Sequence, residues 1–306
     1  LKRVFMLTFL GLDWGGTYIK AGLVNQRGVI LKKKVYSSLD LRKPKAFIKN
    51  LESLLFDFKS PTMRAIGIGA PGMINVRKGF IYYLPNIPGW ENYPLKEVLE
   101  KRLKLPVVVD NDANVFGLAE ARCGAAKGLT QAIFLTLGTG LGGAVLVENK
   151  LLRGRTSAAE LGHVPISLNG QACGCGSRGC IETYVGNNYL LKRYRQLKKN
   201  SKVSEVKEIF QRGLRGEREA LLVWKEFSMT LGKFLSGMIN VFNPQAIVFG
   251  GGVSGAFRLF KPLVLEVIRK EAMWPQTREL KLLRARLKNP GIIGAAILAK
   301  EYLEGK

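Results

Sequence analysis

A two-domain α/β protein is what this sequence predicts, and three observations predict it. Strand-like apolar runs alternate with helical periodicities along the whole chain, the pattern of sheets covered by helices. Two glycine–threonine turns, Gly15-Gly16-Thr17 and Gly138-Thr139-Gly140, each separate a pair of apolar strands. A length of 306 residues with 47 % hydrophobic and 23 % charged residues suits two soluble globular domains.

The opening quarter reads as strands with tight turns over Val4–Leu12, Lys20–Val24 and Val29–Tyr36, then a helix near Lys45–Phe58. Lys2 and Arg3 ahead of the apolar run VFMLTFLGL imitate the start of a signal peptide. Asp13 interrupts that run and no small-residue cleavage site follows, so a buried first strand is expected. A strand over Ala65–Gly69 runs into Ala70-Pro71-Gly72, and a short helix near Leu95–Leu103 leads to the strand Pro106–Val109. That strand ends at Asp110-Asn111-Asp112, and a helix follows to about Arg122. Strands recur at Gln131–Leu137 and Gly143–Val147. Helical periodicity then dominates Val203–Leu214 and Glu217–Val241. A strand over Ala246–Phe249 meets Gly250-Gly251-Gly252, followed by an amphipathic helix, Phe257–Arg269. A strand near Leu280–Leu287 and a helix after Pro290-Gly291 close the chain. No run of about 20 apolar residues is present, so no membrane span is expected.

Three segments match G-x-G-x-x-G, beginning at Gly67, Gly138 and Gly250. A dinucleotide site needs strand, glycines, helix and an acid about 20 residues further on. A strand follows the second cluster, and the strand after the third ends in basic residues, so the pattern carries nothing here. A P-loop is absent. The two hairpins are more specific. Gly-Thr turns aim backbone N–H groups and a hydroxyl into one concavity that suits phosphate oxygens. Asp13, at the first turn, is placed to hold Mg²⁺ through water. One such hairpin in each half suggests a duplicated fold around a nucleotide's phosphates; the alternative is two ordinary tight turns.

His163 is the only histidine, and Cys173, Cys175 and Cys180 are three of the four cysteines. The spacing His-x9-Cys-x-Cys-x4-Cys, in a loop rich in glycine, matches a Cys₃His zinc site. Four protein ligands leave no open position, so the zinc would be structural. The plainer reading is three reduced thiols and a surface histidine. Cys123, in AEARCGAA, reads as a buried helix position, and this cysteine usage suits the cytoplasm.

The net charge is +25. Such a balance would suit nucleic acid, but the basic residues are widely spread, densest at Lys32–Lys34 and from Lys192 to Lys202. One histidine cannot build a Cys₂His₂ finger, and no RNA-recognition signature is present. A solvated basic surface that steers anionic substrates is expected, with no specific nucleic-acid partner and no membrane.

With these motifs in order, the chain resembles the ROK family of sugar kinases and repressors, within the actin-like ATPase superfamily. DWGGTYIK looks like the family's first phosphate motif and TLGTGLGG like its second; VFNPQAIVFGGGV resembles the adenosine-side segment, and AAELGH with CGCGSRGCIE the family signature. The resemblance runs from Leu10 to about Ala299. It implies an actin-like (ribonuclease H-like) fold of two domains with the active site in a cleft between them. The expected division is residues 1–115 joined by the last helix, about 290–306, against residues 116–289.

The resemblance also assigns roles. Asp13, Gly15, Gly16, Thr17 and Lys20, with Thr136, Gly138, Thr139 and Gly140, would hold the phosphates of ATP and its Mg²⁺, and Gly250, Gly251 and Gly252 the adenosine side. Asp112, which from position alone is equally a helix cap, would be the catalytic base. Asn86, Asn111, Glu160, His163 and Glu182 would contact the sugar, with His163 also ligating Zn²⁺ beside Cys173, Cys175 and Cys180. Two departures from the family pattern stand out, Trp14 for a smaller apolar residue and Ala159 for a glycine.

An ATP-dependent hexokinase of glucokinase type is therefore expected, with the 6-hydroxyl of glucose as acceptor and a dimer or tetramer as the assembly. N-acetylmannosamine, N-acetylglucosamine and fructose are the other acceptors to consider. The competing class is a sugar-responsive repressor. Such members carry a helix-turn-helix ahead of the first phosphate motif, where about a dozen residues precede Asp13 here.

Overall fold

The structure is a computed structural model that describes residues 6–37, 43–85 and 87–305. The chain forms two compact units: Leu1–Lys127 with Arg153–Ala158 and Leu287–Lys306, and Gly128–Leu152 with Ala159–Arg286.

The first unit opens with β1 (Thr8–Trp14), β2 (Tyr18–Asn25) and β3 (Ile30–Ser37), then α1 (Pro44–Asp57) and β4 (Met63–Ala70). A small hairpin, β5 (Met73–Asn75) and β6 (Phe80–Tyr83), precedes α2 (Leu95–Leu103), β7 (Val107–Asn111) and α3 (Asp112–Cys123). The sheet order is β3-β2-β1-β4-β7, with β1 antiparallel to β2 and parallel to β4. Leu10, Leu12, Ile66, Ile68, Val107 and Val109 cover one face with Phe47, Leu51 and Leu54 of α1 and Leu95 and Leu99 of α2. Pro44 starts α1 where a missing N–H costs nothing, and Lys104 closes α2 at φ 54°. Trp14 lies in this core, stacked on Phe47 at 4.1 Å with its edge to Trp90. Alternation along β1 thus turns the bulky departure from the family pattern away from the face that carries Asp13.

The second unit repeats the plan with β8 (Ala132–Leu137), β9 (Leu141–Val147) and β10 (Lys150–Leu151). After a single 3₁₀ turn, Leu161–His163, come α4 (Glu182–Val185), α5 (Asn187–Leu197), α6 (Val206–Leu214), α7 (Arg218–Phe242) and β11 (Ala246–Gly250). Helices α8 (Phe257–Glu271) and α9 (Trp274–Thr277) and strand β12 (Lys281–Arg284) complete it. Its sheet order, β10-β9-β8-β11-β12, matches the first sheet position for position, with the same antiparallel and parallel pairs. The duplication suggested by the two hairpins is thus present in the strand topology. The 25-residue α7 buries Phe227, Leu231, Leu235 and Ile239 among Phe249, Phe260 and Val264.

The last helix, α10 (Pro290–Leu303), returns to the first unit and packs on β1, β4 and α3. The approach is close enough that a Cβ on Gly67 would lie 1.7 Å from the Ala295 carbonyl oxygen, and one on Gly11 2.0 Å from that of Ile292. Only glycine permits a helix backbone this near a sheet.

Some elements differ from the sequence expectation. The β5–β6 hairpin and α5 have no counterpart in the sequence expectation, although Leu190 and Tyr194 of α5 are buried one turn apart, and the last strand is four residues long. The boundary falls after Lys127 instead of near 115. Helix α3 stays with the first unit because Ala113, Val115, Leu118 and Ala119 are buried in the region where α3 and α10 pack. The segment 153–158 also groups with that unit, which no local pattern foretells.

Candidate functional site

Hairpin β1–β2 turns through Gly15, Gly16 and Thr17, closed by the Gly15 N–H donating to the Tyr18 carbonyl at 2.9 Å. Asp13 stands two residues before Gly15, and Lys20 lies directly across the ladder from it, Nζ to Oδ2 3.5 Å. The Asp13 carboxylate also lies against the first turn of α10: a Cβ on Gly291 would come within 2.4–2.7 Å of its carboxyl atoms. The N-terminal end of a helix favours an anion.

Asp13, Gly69 and Asp110 share one row across β1, β4 and β7, so both carboxylates rise from the same sheet face. The place of a Cβ on Gly69 is taken by Val115. Asp110 is fully buried. Its Oδ1 accepts from the Asn111 N–H at 2.7 Å and the Asn114 Nδ2 at 2.8 Å, and its Oδ2 pairs with Arg153 Nε at 2.9 Å. Asn111, not Asp112, caps α3: its Oδ1 accepts from the Ala113 N–H at 2.8 Å, while its Nδ2 donates to the Gly72 carbonyl at 3.1 Å. Asp112 is the first residue of the helix and is exposed. Its carboxylate accepts from the Ala113 N–H as well, at 2.8 Å.

In the second unit, β8 leads through Thr136 into the turn Gly138-Thr139-Gly140. Gly250 pairs with Thr136 in the sheet, and Gly251, at φ 78°, passes so near that a Cβ there would lie 2.2 Å from the Leu137 carbonyl. Gly250–Gly252 and the second hairpin are therefore neighbours. The Asn187 N–H donates to the Gly138 carbonyl at 2.9 Å, seating the start of α5 on the same turn. A Cβ on Gly140 would lie 2.2 Å from Glu182 Oε2, so the carboxylate borders the hairpin directly.

The cysteine loop folds through bridges between Pro165 and Cys180 and between Ala172 and Arg178, with turns at Gly176 (φ 92°) and Gly179 (φ 73°). It gathers His163, Cys173, Cys175 and Cys180, all ligand atoms within 4.8 Å of one another. Tetrahedral zinc with Zn–S of about 2.3 Å and Zn–N of about 2.0 Å sets sulfurs about 3.8 Å apart and sulfur and nitrogen about 3.5 Å apart. Cys175 Sγ and Cys180 Sγ are 3.7 Å apart, and Cys173 Sγ and His163 Nδ1 3.6 Å. The residues fit a zinc ion. Burial pushes the Cys173 and Cys180 thiols up, whereas the Ser177 N–H draws Cys175 down. A bound cation would take all three as thiolates. Glu182 Oε1 lies 3.0 Å from Cys173 Sγ and 3.4 Å from His163 Nδ1, so one carboxylate touches the ligand set and the second hairpin together. Glu160 precedes the 3₁₀ turn and accepts the His163 N–H on its carbonyl at 3.0 Å.

The sequence-predicted residues thus assemble in two groups. Asp13, Gly15, Gly16, Thr17, Lys20, Asn111 and Asp112 belong to the first unit, and the hairpin, Gly250–Gly252, Glu160, His163, Glu182 and the cysteines to the second. Asn86 lies outside the described residues. Sequence reasoning missed Asp110 and Arg153, although a charge closing a run of three valines was a visible signal for the first. It also missed Gly291, whose contact with Asp13 spans nearly the whole chain.

Two five-stranded sheets of identical topology, each with a glycine–threonine hairpin, define the actin-like ATPase fold. The chain belongs to the ROK family, whose pattern matches residues 9–302. It is 35 % identical to the glucokinase of Thermotoga maritima, over 98 % of this chain and 99 % of that protein. A solved ROK glucokinase from Streptomyces griseus, in complex with glucose and AMPPNP, superposes with a TM-score of 0.78 at 33 % identity, covering 96 % of this chain and 99 % of that one. The xylose repressor of Caldicellulosiruptor bescii is 29 % identical over 94 % of this chain and 76 % of that protein.

Proposed function

We propose that this protein is an ATP-dependent hexokinase that transfers the γ-phosphoryl group to the 6-hydroxyl of a hexose, with glucose the first candidate. The observation that carries the reading is the strand-to-helix turn at Asp110–Ala113. There Asn111 takes the capping bond and Asp112 is exposed beside it. Likeness to glucokinases over nearly the full chain supports the acceptor class.

In this reading Asp112 accepts the proton of the sugar hydroxyl as its oxygen attacks the γ-phosphorus, and the bond to the ADP oxygen breaks in line. Asn111, Glu160, His163 and Glu182, with Asn86, hold the other hydroxyls. A site that pairs each hydroxyl discriminates strongly against sugars lacking one. The Gly140 N–H and the Thr17 and Thr139 hydroxyls receive the phosphates from turns that the Gly15 and Gly138 N–H groups close on the Tyr18 and Gly140 carbonyls, with Gly16 in the first turn and Lys20 as a point charge. Thr136 lies at the base of the second turn, and Gly250–Gly252 let the adenosine pass close to the backbone. Asp13 is the residue for Mg²⁺, which neutralises phosphate charge when bound. Zn²⁺ on His163, Cys173, Cys175 and Cys180 is structural: it fixes the loop that presents Glu182, with His163 ligating through Nδ1. The assembly is a homo-oligomer.

The test is an ADP-release assay over glucose, fructose, N-acetylglucosamine and N-acetylmannosamine, with Asp112→Asn beside the wild type. Expected is turnover with at least one hexose and a loss of about 10²–10⁴-fold in the variant. Wild-type protein with no sugar-dependent ADP release overturns the kinase reading, and a fully active Asp112→Asn overturns the base. The second reading, a sugar-sensing regulator, is favoured by the repressor relatives; sugar binding without turnover would select it.

A further inference from the structure

Asp110 is a charge in a place where charge is costly. It follows three valines as the next-to-last residue of β7, and its side chain is 0 % exposed. A buried ion pair gives little or no stability over an apolar pair of the same volume. What it does give is geometry, and here the geometry is specific. Oδ1 receives the N–H of Asn111 at 2.7 Å and the side-chain amide of Asn114 at 2.8 Å, so one oxygen fixes the residues on either side of Asp112 and Ala113. Oδ2 receives Arg153 Nε at 2.9 Å from a segment 43 residues further along the chain. Asn114 spends its donor on that carboxylate while its own Oδ1, also buried, has no partner among the described residues. An arrangement that leaves an amide oxygen unpaired in order to hold a carboxylate is costly unless the carboxylate's position matters.

We infer that Asp110 and Arg153 form a positioning pair that sets the strand-to-helix turn carrying Asp112, so that phosphoryl transfer depends on an arginine outside the motifs that bind sugar or nucleotide. The inference rests on the kinase reading for its kinetic arm only. Asp110 aligns the Asn111 peptide and the first turn of α3, and Asn111 in turn caps that helix at Ala113. Arg153 holds the Asp110 carboxyl group in place through Oδ2. It also opens the segment 153–158, which leads directly to Ala159, held at φ 64°, and Glu160. One ion pair therefore anchors both the turn of the proposed base and the start of the segment leading to a proposed sugar ligand. Neither Asp110 nor Arg153 needs to touch the reacting atoms.

Catalysis by positioning is sensitive to displacements of about 1 Å, which cost about 10²-fold. The experiment compares wild type with Arg153→Gln, Arg153→Lys, Asp110→Asn and the Asp110→Asn/Arg153→Gln double variant, in the full chain. With a hexose that the wild type phosphorylates, Arg153→Gln should lose about 10–100-fold in kcat, the Kd for the hexose should weaken by less than that loss as Asn111 shifts with the turn, and the KM for MgATP should change less than about threefold. Arg153→Lys, which keeps the charge, should recover at least part of that loss. The double variant should be no worse than the worse single, as expected of groups acting as one unit. Independently of any activity, amide exchange over residues 110–114 should quicken at least about tenfold in Arg153→Gln while β8 in the other unit is unchanged. Unchanged exchange over 110–114 overturns the inference even if the protein proves not to be a kinase. An active wild type with an equally active Arg153→Gln overturns it while leaving the kinase reading intact. A fall in kcat that merely tracks loss of folded protein in all four variants overturns it as well.

Discussion

Gly291→Ala separates helix stability from phosphate chemistry in a single substitution. Gly291 is the second residue of α10 and has ordinary helical geometry, so alanine there raises helix propensity by up to about 1 kcal/mol. The new Cβ would lie 2.4 Å from the Asp13 Cγ and 2.6 and 2.7 Å from its oxygens. Ordinary carbon contacts are about 3.5 Å, so the carboxyl group must move by about 1 Å. Asp13 has two rotatable bonds and is a quarter exposed, so it can swing away, and the fold tolerates the change. The thermal midpoint should stay within about 3 °C of wild type, because the propensity gain and the contact cost nearly cancel. The 1 Å displacement falls on the residue proposed to hold Mg²⁺, so kcat/KM for MgATP should drop about 10²-fold, with the Kd for sugar unchanged. Steady-state kinetics at varied Mg²⁺ and a thermal melt decide the matter. Unaltered kcat/KM for MgATP would refute the reasoning, and so would a midpoint lowered by ten degrees with proportionate loss of all activities.

Gly67→Ala makes the contrast, because its Cβ meets the Ala295 carbonyl at 1.7 Å, which is backbone and cannot swing aside. A loss of about 3 kcal/mol or more is expected in urea unfolding, with α10 displaced from the sheet. Protein purified without chelator should hold about one zinc per chain by elemental analysis, and Cys180→Ser should lower that ratio well below one half. Burial pulls the Glu217 carboxyl up, but Tyr194, Lys198 and Arg212 more than offset it and hold it below the ordinary glutamate range. A carboxyl depressed in the folded state adds stability above its unfolded value, about 4.3, and that stability is lost as pH falls through the lower folded value. The wild-type midpoint should therefore decline from about pH 5 downward more steeply than that of Glu217→Gln, which starts about 2–4 °C lower at neutral pH, the ion pairs being partly screened.

Much of the candidate site was readable because its signals are local. The hairpins announce themselves by glycine and threonine between two apolar runs, and the candidate metal loop by one histidine and three cysteines within eighteen positions. Both follow from short-range chemistry, turn geometry in one case and tetrahedral coordination in the other. Asp112 was ambiguous in the sequence, since a carboxylate after a strand and before a helix is equally a cap or a base. The structure resolves the capping half of that question by giving the bond to Asn111. The β5–β6 hairpin stayed hidden because MIN and FIYY are too short for a period to show.

The sequence by itself determined the α/β class, the duplication, the order of the motifs and the cluster of one histidine and three cysteines, all of which are written in patterns a few residues long. Tertiary structure alone decided that Gly291 lies beneath Asp13, that Arg153 pairs with Asp110, and that α3 and the segment 153–158 belong to the first unit. Such contacts join residues far apart in the chain, where no periodicity links them. They exist because apolar faces bring α10 onto the first sheet, and the charges and glycines beneath must then fit what that packing leaves.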